Sequence, residues 1–318
     1  MISLNTNHGA IASLDVMRSI ASNLGDAQDQ VSSGYRIGKA SDNSSYWSIS
    51  TTMRSDDKAL SAVEDSMGLA AAAIDVAYTG MTASLDVVNE IKAKLVAARE
   101  PGVDKGKINK ELTELKAEIY TIVESSSFAG ENWLHRIDAT DDGDKSMVGS
   151  FYRDGSDNVS VGTITYDMSN QWGTNHLIDE NYHNGILTNV EFARELGTAT
   201  EWVLMSGKNH AIHPEMVLTS TTSDQDVEEM ISVVDAMIGA MIDAAASLGA
   251  ISKRVSIQTE YTNDLRDSLQ TGVGGLVDAD MNEQSTRLKA LQTRQQLATQ
   301  SLSIANAGPD QLLQLFQN

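Results

Sequence analysis

Twelve positions follow one another at alternating steps of three and four residues: Leu60, Val63, Met67, Ala70, Ile74, Ala77, Met81, Ser84, Val88, Ile91, Leu95 and Ala98. A strand repeats every two residues and a straight surface helix every 3.6. An unbroken seven-residue repeat of this length therefore demands a helix whose apolar seam faces other helices throughout. Pro101-Gly102 breaks the pattern, and Ile108, Leu112, Leu115, Ile119 and Ile122 resume it. So short a break is what an antiparallel helix hairpin requires. Farther on, Ser223 and Asp226 have the spacing of a capping box. Val227, Ile231, Val234, Ile238, Met241, Ala245 and Leu248 then carry the same repeat, continued less strictly by Ile251, Val255, Leu265 and Leu269. Seams this long offset the entropy of ordering them, at roughly 1.5–3 kcal/mol per fully buried large apolar side chain.

The two ends are helical in pattern but weaker. Over residues 3–33 the stripe is Leu4, Ile11, Leu14, Ala21, Leu24 and Val31, interrupted by Arg18 and Gln28. The last stripe carries Met281, Leu288, Leu291, Ala298, Leu302 and Ala305, is stopped by Gly308-Pro309, and is followed by LLQLF. Each end is set off from the strong repeat by a joint: VSSGYRIGKASDNSSYWSIS at 31–50 and TGVGG at 271–275. Stripes so diluted by Gln, Asn and Ser are expected to order only when copies of the chain pack together. Between the halves, residues 147–168 alternate around an Asp-Gly turn and read as a β-hairpin. Residues 169–222, with Trp172, Trp202 and four histidines, read as a small insert with a helix over Asn189–Ser206. The expected fold is mainly α, a rod of long antiparallel coiled-coil helices from both termini, with the hairpin and a small α/β insert in the middle. The expected division is 1–43 with 273–318, then 44–168 with 223–272, then 169–222.

Charge and composition narrow the function. The chain has 23 Lys and Arg against 44 Asp and Glu, a formal charge of −21, which argues against nucleic acid as a partner. Residues 1–40 are neutral and residues 281–318 carry +1, so the negative excess lies between them. There is no cysteine, hence no disulfide and no thiolate metal site. MISLNTNHGAIASLD has neither the basic start nor the apolar segment of a secretory signal, and no run of about 18 apolar residues suggests a membrane span. Taken alone, this points to the cytoplasm unless export uses another route.

The motifs of catalysis do not assemble. Paired acids such as Asp56-Asp57 and Glu228-Glu229 belong to solvated helix faces. His210 and His213 form an H-x-x-H, but the intervening residues are Ala and Ile and Pro214 follows. The metalloprotease pattern needs a Glu between histidines four apart. Loop histidines are the better reading, with weak zinc binding behind it. GVGGLVDAD at 272–280 lacks the strand and the Lys-Ser/Thr of a phosphate loop. Asn43-Ser-Ser and Asn158-Val-Ser match the glycosylation sequon by chance, and Trp47 is expected to pack against neighbouring helices. No enzyme, no metal and no cofactor is implied.

Three segments carry a resemblance. NTNHGAIASLDVMRSIASNLGDAQDQVSSGYRIGKASDN, with S-S-G-x-R-I at Ser32–Ile37, resembles the N-terminal block of bacterial flagellins, in style those of the rhizobial alphaproteobacteria. SFAGENWL at 127–134 resembles the close of that family's first half, and IANAGPDQLLQLF at 304–316 its C-terminal end. Together the resemblance covers residues 1–137 and 223–318. It implies a helical homopolymer, the flagellar filament, with terminal helices lining an inner tube, a helical rod outside them, and an outward insert. It also implies an extracellular place reached through a type III export channel without a cleaved signal. The implied partners are further copies, sister flagellins, an export chaperone, and cap and junction proteins; no nucleic acid or membrane is implied. Polymer packing then falls to Leu4, Ile11, Leu14, Leu288, Leu291, Leu302, Leu312, Leu315 and Phe316. The joint is Ser33, Gly34, Arg36, Ile37, Asp42 and Asn43. In the segment Asn89–Glu100, which innate receptors read in enterobacterial flagellins, Ile91 stands in place of an arginine, which implies weak recognition. The alternatives are a hook–filament junction protein of the same export system and a metal-dependent enzyme using His210 and His213.

Overall fold

The computed structural model describes residues 6–137, 143–171, 173–206 and 213–316, with side chains as far as residue 307. All twelve seam positions from Leu60 to Ala98 are buried. Eleven of them lie on α2 (Ser44–Ala97) and Ala98 directly follows it; α2 is the second of six helices among the described residues and, with α5 (Asp224–Val277), one of the two longest. The others are α1 (His8–Ser33), α3 (Lys105–Ser125), α4 (Glu191–Leu196) and α6 (Met281–Phe316). Six strands fall between α3 and α4: β1 (Ser127–Phe128), β2 (Glu131–Asn132), β3 (His135–Arg136), β4 (Lys145–Arg153), β5 (Val159–Tyr166) and β6 (Ile178–Asp179). The chain divides into two compact units, Ala59–Asp264 and the paired ends Met1–Lys58 with Leu265–Asn318.

In the unit Ala59–Asp264, the polar partners across the seams fix the directions of the helices. Lys92 pairs with Asp235, Arg99 with Glu228 at 2.6 Å, and Thr259 reaches Met67, so α2 and α5 run antiparallel. Lys94 meets Glu111 at 2.6 Å, so α3 returns along α2 after Gly102, whose φ of 87° turns the chain. Asp104 then caps α3 by accepting the Gly106 and Lys107 amides. The expected capping box closes in both directions: the Asp226 amide donates to Ser223 Oγ at 3.0 Å, and the Ser223 amide to Asp226 Oδ2 at 2.9 Å. On α5 the buried set is wider than the expected stripe. Met230, Val233, Met237 and Ala244 are buried, while Ile231 and Ala245 are only half-buried. A helix that packs against several neighbours buries flanking heptad positions as well as one seam. On α3 the same shift puts Val123 inside and leaves Ile122 half-buried. This breadth also gives α5 an 18-residue window with a mean hydropathy of 1.6, as apolar as a membrane span, of which 44% is buried inside the protein.

The hairpin is present as β4 and β5, antiparallel, with Asp154 and Gly155 at its turn. Gly149 sits at the register shift between Val148 and Ser150, where a Cβ would lie 2.6 Å from Ile164. The SFAGENWL segment is a tight β1–β2 turn through Ala129 and Gly130, both at positive φ. It ends with Trp133 stacked on Tyr166 and Leu134 fully buried. Residues 169–222 share the core of this unit: Leu177, Ile178, Leu187, Phe192, Leu204 and Met216 belong to the same hydrophobic cluster as the α2, α3 and α5 seams. The helix expected over Asn189–Ser206 is the single short α4. Gly197 at φ 67° stops it, with Gly197 N–H bonded to Arg194 and Thr198 N–H to Ala193, a Schellman ending.

The unit of paired ends holds α1 against α6. Its second joint lies later than the glycines suggest. TGVGG is helical, α5 continues to Val277, and the break falls at 278–280. Gly272 serves close approach, since a Cβ there would lie 2.9 Å from the Met53 methyl.

Candidate assembly surface

The joint after α1 is built residue by residue. Ser33 ends the helix, its hydroxyl accepting the Tyr35 amide, and Gly34 adopts φ 75°, which an L side chain resists. The chain then runs beside the end of α5. The Arg36 and Ile37 amides donate to Val277 O at 2.7 and 3.3 Å, Arg36 Nη2 donates to Leu276 O, and the Ala279 amide donates to Gly34 O. Ile37 is buried with Val273 and Val277. Asp42 Oδ2 accepts the Gly38 and Lys39 amides at 3.0 Å each. The Lys39 amide first, then that of Gly38, holds the Asp42 carboxyl below the usual carboxylate range. Asn43 caps α2 by accepting the Tyr46 amide. An open cleft of about 960 Å³ lies beside the joint, lined among others by Asp29, Arg36, Lys39, Tyr46 and Arg287.

The helix pair has two kinds of face. Inward, α1 turns Ala10, Ser13, Met17, Ile20, Leu24 and Ala27 toward α6, at heptad spacing. From α6 come Gln284, Leu288, Leu291, Ala298, Leu302 and Ala305. Asn7 Nδ2 donates to Ala305 O and Tyr35 bridges Asp278, so the pair is antiparallel. Leu291 is therefore buried, and Leu288 and Leu302 half-buried, within the chain itself. Outward, Ile11 and Leu14 are 50% and 36% exposed. Val16, Leu297 and Ile304 are exposed as well, the last at 75%, and the sequence reading singled out none of them. The signal for them was an apolar residue off the heptad seam. Leu4 lies outside the described residues, and so do the side chains of Leu312, Leu315 and Phe316.

Trp47 is 38% exposed at the start of α2 and belongs to neither hydrophobic cluster. The chain places it on the outside of a helix whose inner positions there are Ser50 and Met53. Ile91 is fully buried in the core of the unit Ala59–Asp264.

The insert holds its charges as structure. Arg136, 2% exposed, pairs with the fully buried Asp179, whose oxygens also accept the Asn181, Tyr182 and Asn184 amides. Glu180 accepts from Tyr120 on α3 and lies 3.2 Å from His135. Lys116 on α3 donates to Glu215 and to Met216 O, and burial pulls its pKa down. His213 faces Glu201 at 3.5 Å; His210 and Trp172 lie outside the described residues. Among the described residues no group of three or more His, Cys, Asp or Glu side chains converges on a metal position.

Residues 4–139 match the bacterial flagellin N-terminal helical region, and residues 231–316 match the bacterial flagellin C-terminal helical region. The chain is 48% identical to flagellin C of Rhizobium meliloti strain 1021 over 324 aligned positions, covering all of both chains. It is 41% identical to flagellin A of Rhizobium meliloti over 395 positions, and 34% identical to a flagellin of Brucella melitensis over 318, again covering all of each. Nothing among these matches favours a junction protein.

Proposed function

The chain belongs to the bacterial flagellins, a family of structural proteins, and is a subunit of the flagellar filament; from that premise we propose which of its surfaces build the polymer. The α1/α6 pair forms the inner tube, with residues 1–43 and 273–318 as its part of the chain. Residues 44–168 with 223–272 form the helical body of the subunit, and 169–222 its outward insert. The observation that carries this is the pair's outward apolar face. Ile11, Leu14, Val16, Leu297 and Ile304 stay exposed although the pair's own seam is complete. Apolar side chains ranged along one helix pair mark a contact surface. Leu4, Leu312, Leu315 and Phe316, assigned to polymer packing on the resemblance alone, belong to the same proposal. Leu288, Leu291 and Leu302 contribute indirectly, by holding α6 on α1.

The partners are further copies of the chain and sister flagellins, together with a chaperone, cap and junction proteins of the export system. The subunit reaches the outside through a type III channel without a cleaved signal. The cysteine-free sequence suits such passage, because an unfolded chain then forms no disulfide on the way. The test is electron microscopy of purified subunits mixed with short filament seeds, for the full chain and for one lacking residues 281–318. The full chain grows filaments and the truncated chain stays soluble and helical. Growth by the truncated chain would overturn the assignment.

A further inference from the structure

We propose that Asn184 is a site of spontaneous covalent modification, at which the side-chain amide is lost to the Gly185 nitrogen and aspartate or isoaspartate remains. The inference stands apart from the filament reading, because it concerns the chemistry of one turn in the insert. Asn184-Gly185 is the only Asn-Gly pair in the sequence. The pairing has a steric cause. Gly185 is buried, and a Cβ there would lie 2.7 Å from the Asp179 nitrogen and 3.0 Å from both the Ile178 carbonyl carbon and Leu177 O. The packing therefore demands at 185 the one residue that leaves its backbone nitrogen unshielded by a side chain.

The turn presents the reacting atoms. Asn184 is exposed, and among the described residues neither its side-chain amide nor the Gly185 amide makes a hydrogen bond. The backbone on both sides is tied. The Asn184 amide donates to Asp179 Oδ2 at 3.2 Å, and Asn184 O accepts the Thr174 amide at 3.0 Å. The Ile186 and Leu187 amides donate to His176 O and Leu177 O at 2.8 and 2.9 Å. The freedom left at Asn184 is that of its side chain, which stays beside the nitrogen it reacts with.

In the reaction the Gly185 nitrogen loses its proton to water and attacks Asn184 Cγ. A nitrogen–carbon bond forms there, the Cγ–Nδ2 bond breaks, and Nδ2 takes up a proton and leaves as ammonia. Water then opens the five-membered imide. Cleavage at Cγ gives aspartate, and cleavage at the main-chain carbonyl gives isoaspartate. Water is the only co-reactant. Asp154-Gly155, at the hairpin turn, shows the protected counterpart. The Asp154 carboxyl accepts from the Asn158 side chain and from the Asn158 and Ser156 amides, which in that order hold it below the usual carboxylate range. A carboxylate so ionised is a poor electrophile, and no imide forms. At 184 the products matter to the fold. Isoaspartate lengthens the main chain by one carbon, about 1.5 Å. Gly185 has no room to absorb it, so Ile186 and Leu187 are pushed off their bonds to His176 and Leu177.

The test uses the full chain without substitution. Dispersed subunits are held warm at mildly alkaline pH, in buffer and in urea, then digested and read by mass spectrometry. In buffer Asn184 turns to acid several-fold faster than any other asparagine in the same digests, and both aspartate and isoaspartate appear at 184. The Asp154-Gly155 peptide gains no isoaspartate over that time. Amide hydrogen exchange at Ile186 and Leu187 speeds up in the isoaspartate fraction, and Asn184→Gln, whose imide ring would be larger, abolishes the change. Conversion of Asn184 in urea but not in buffer overturns the inference, since the folded turn then protects the site. Aspartate without isoaspartate overturns it as well, because direct hydrolysis and not attack by Gly185 would be the route.

Discussion

Adding one methyl group to a helical glycine has opposite consequences at two places in the Ala59–Asp264 unit. Gly80 lies mid-way along α2, where a Cβ would meet Ser126 Oγ at 2.2 Å, Leu134 Cδ1 at 2.7 Å and Ser126 Cβ at 2.9 Å. Neither neighbour yields easily: Leu134 is fully buried, and the Ser126 hydroxyl donates to Ile122 O at 2.7 Å. Gly239, on α5, would meet nothing within 4 Å. Replacing either glycine by alanine gains about 1 kcal/mol of helix propensity. At Gly239 that gain stands alone. At Gly80 it is set against overpacking of about 1–3 kcal/mol, and contacts this short belong at the upper end. Gly80→Ala is therefore expected to lose about 1–2 kcal/mol net and Gly239→Ala to gain up to about 1. For a unit of this size each kcal/mol moves Tm by roughly 2–4 °C. Thermal unfolding of dispersed subunits, followed by circular dichroism at 222 nm, measures both without interference from the polymer. A Gly80→Ala chain at least as stable as the unsubstituted one would show that the turn at 126–134 is not pressed against α2. The Ser126→Gly substitution, which removes two of the three obstructing atoms, should recover part of the loss.

Three further outcomes follow from the charged groups. Lys116→Met should change stability by less than about 1 kcal/mol in urea, because it removes a costly buried charge along with its bonds, whereas Glu215→Ala should cost about 1–3 kcal/mol by leaving that charge without its counter-ion. The Asp42 cap holds a carboxyl whose pKa is lowered by the Lys39 and Gly38 amides, so its contribution is present above the ordinary carboxyl value, about 4, and is lost as pH falls through the lowered one. The Gly38 and Lys39 amide resonances should titrate with a midpoint below about 4, and a midpoint at or above it would refute the cap. Filament growth should weaken as salt drops from 0.15 M toward 0.01 M and the Debye length rises from about 8 to about 30 Å; indifference to salt would contradict the role given to the −21 charge.

How much of this was legible in the sequence depends on how one-dimensional each part is. The α2 seam was readable to the residue, because a helix facing one continuous groove needs only its period and phase. The α5 stripe was readable in period but too narrow, since the number of neighbours a helix meets is a tertiary fact. That is why Met230 and Met237 went unnoticed. Glycine usually marks a break, yet TGVGG is helical and Gly272 admits the Met53 methyl. On α1 Ile11 and Leu14 are larger than Ala10 and Ser13 yet stay exposed, so side-chain size alone does not mark the seam with α6. The joint was the opposite case. Gly34, Asp42 and Asn43 act through backbone geometry within a few residues, and such local chemistry can be read directly. The buried pairs of the insert, Arg136 with Asp179 and Glu180 with Tyr120, join residues far apart in the chain, and no spacing announces them.

Size and phase on α1 bear on what the ends are for. A helix that serves only its own partner has no use for its larger apolar residues on the far side. α1 gives the antiparallel seam Ala10, Ser13, Met17, Ile20, Leu24 and Ala27, yet it leaves Ile11, Leu14 and Val16 exposed. The same unit is near neutral while the other carries almost all of the negative charge. For copies of one chain, attraction by apolar contact and tolerance of close approach therefore coincide in the same unit. Repulsion is concentrated in the other, where it limits indiscriminate association before the ends engage.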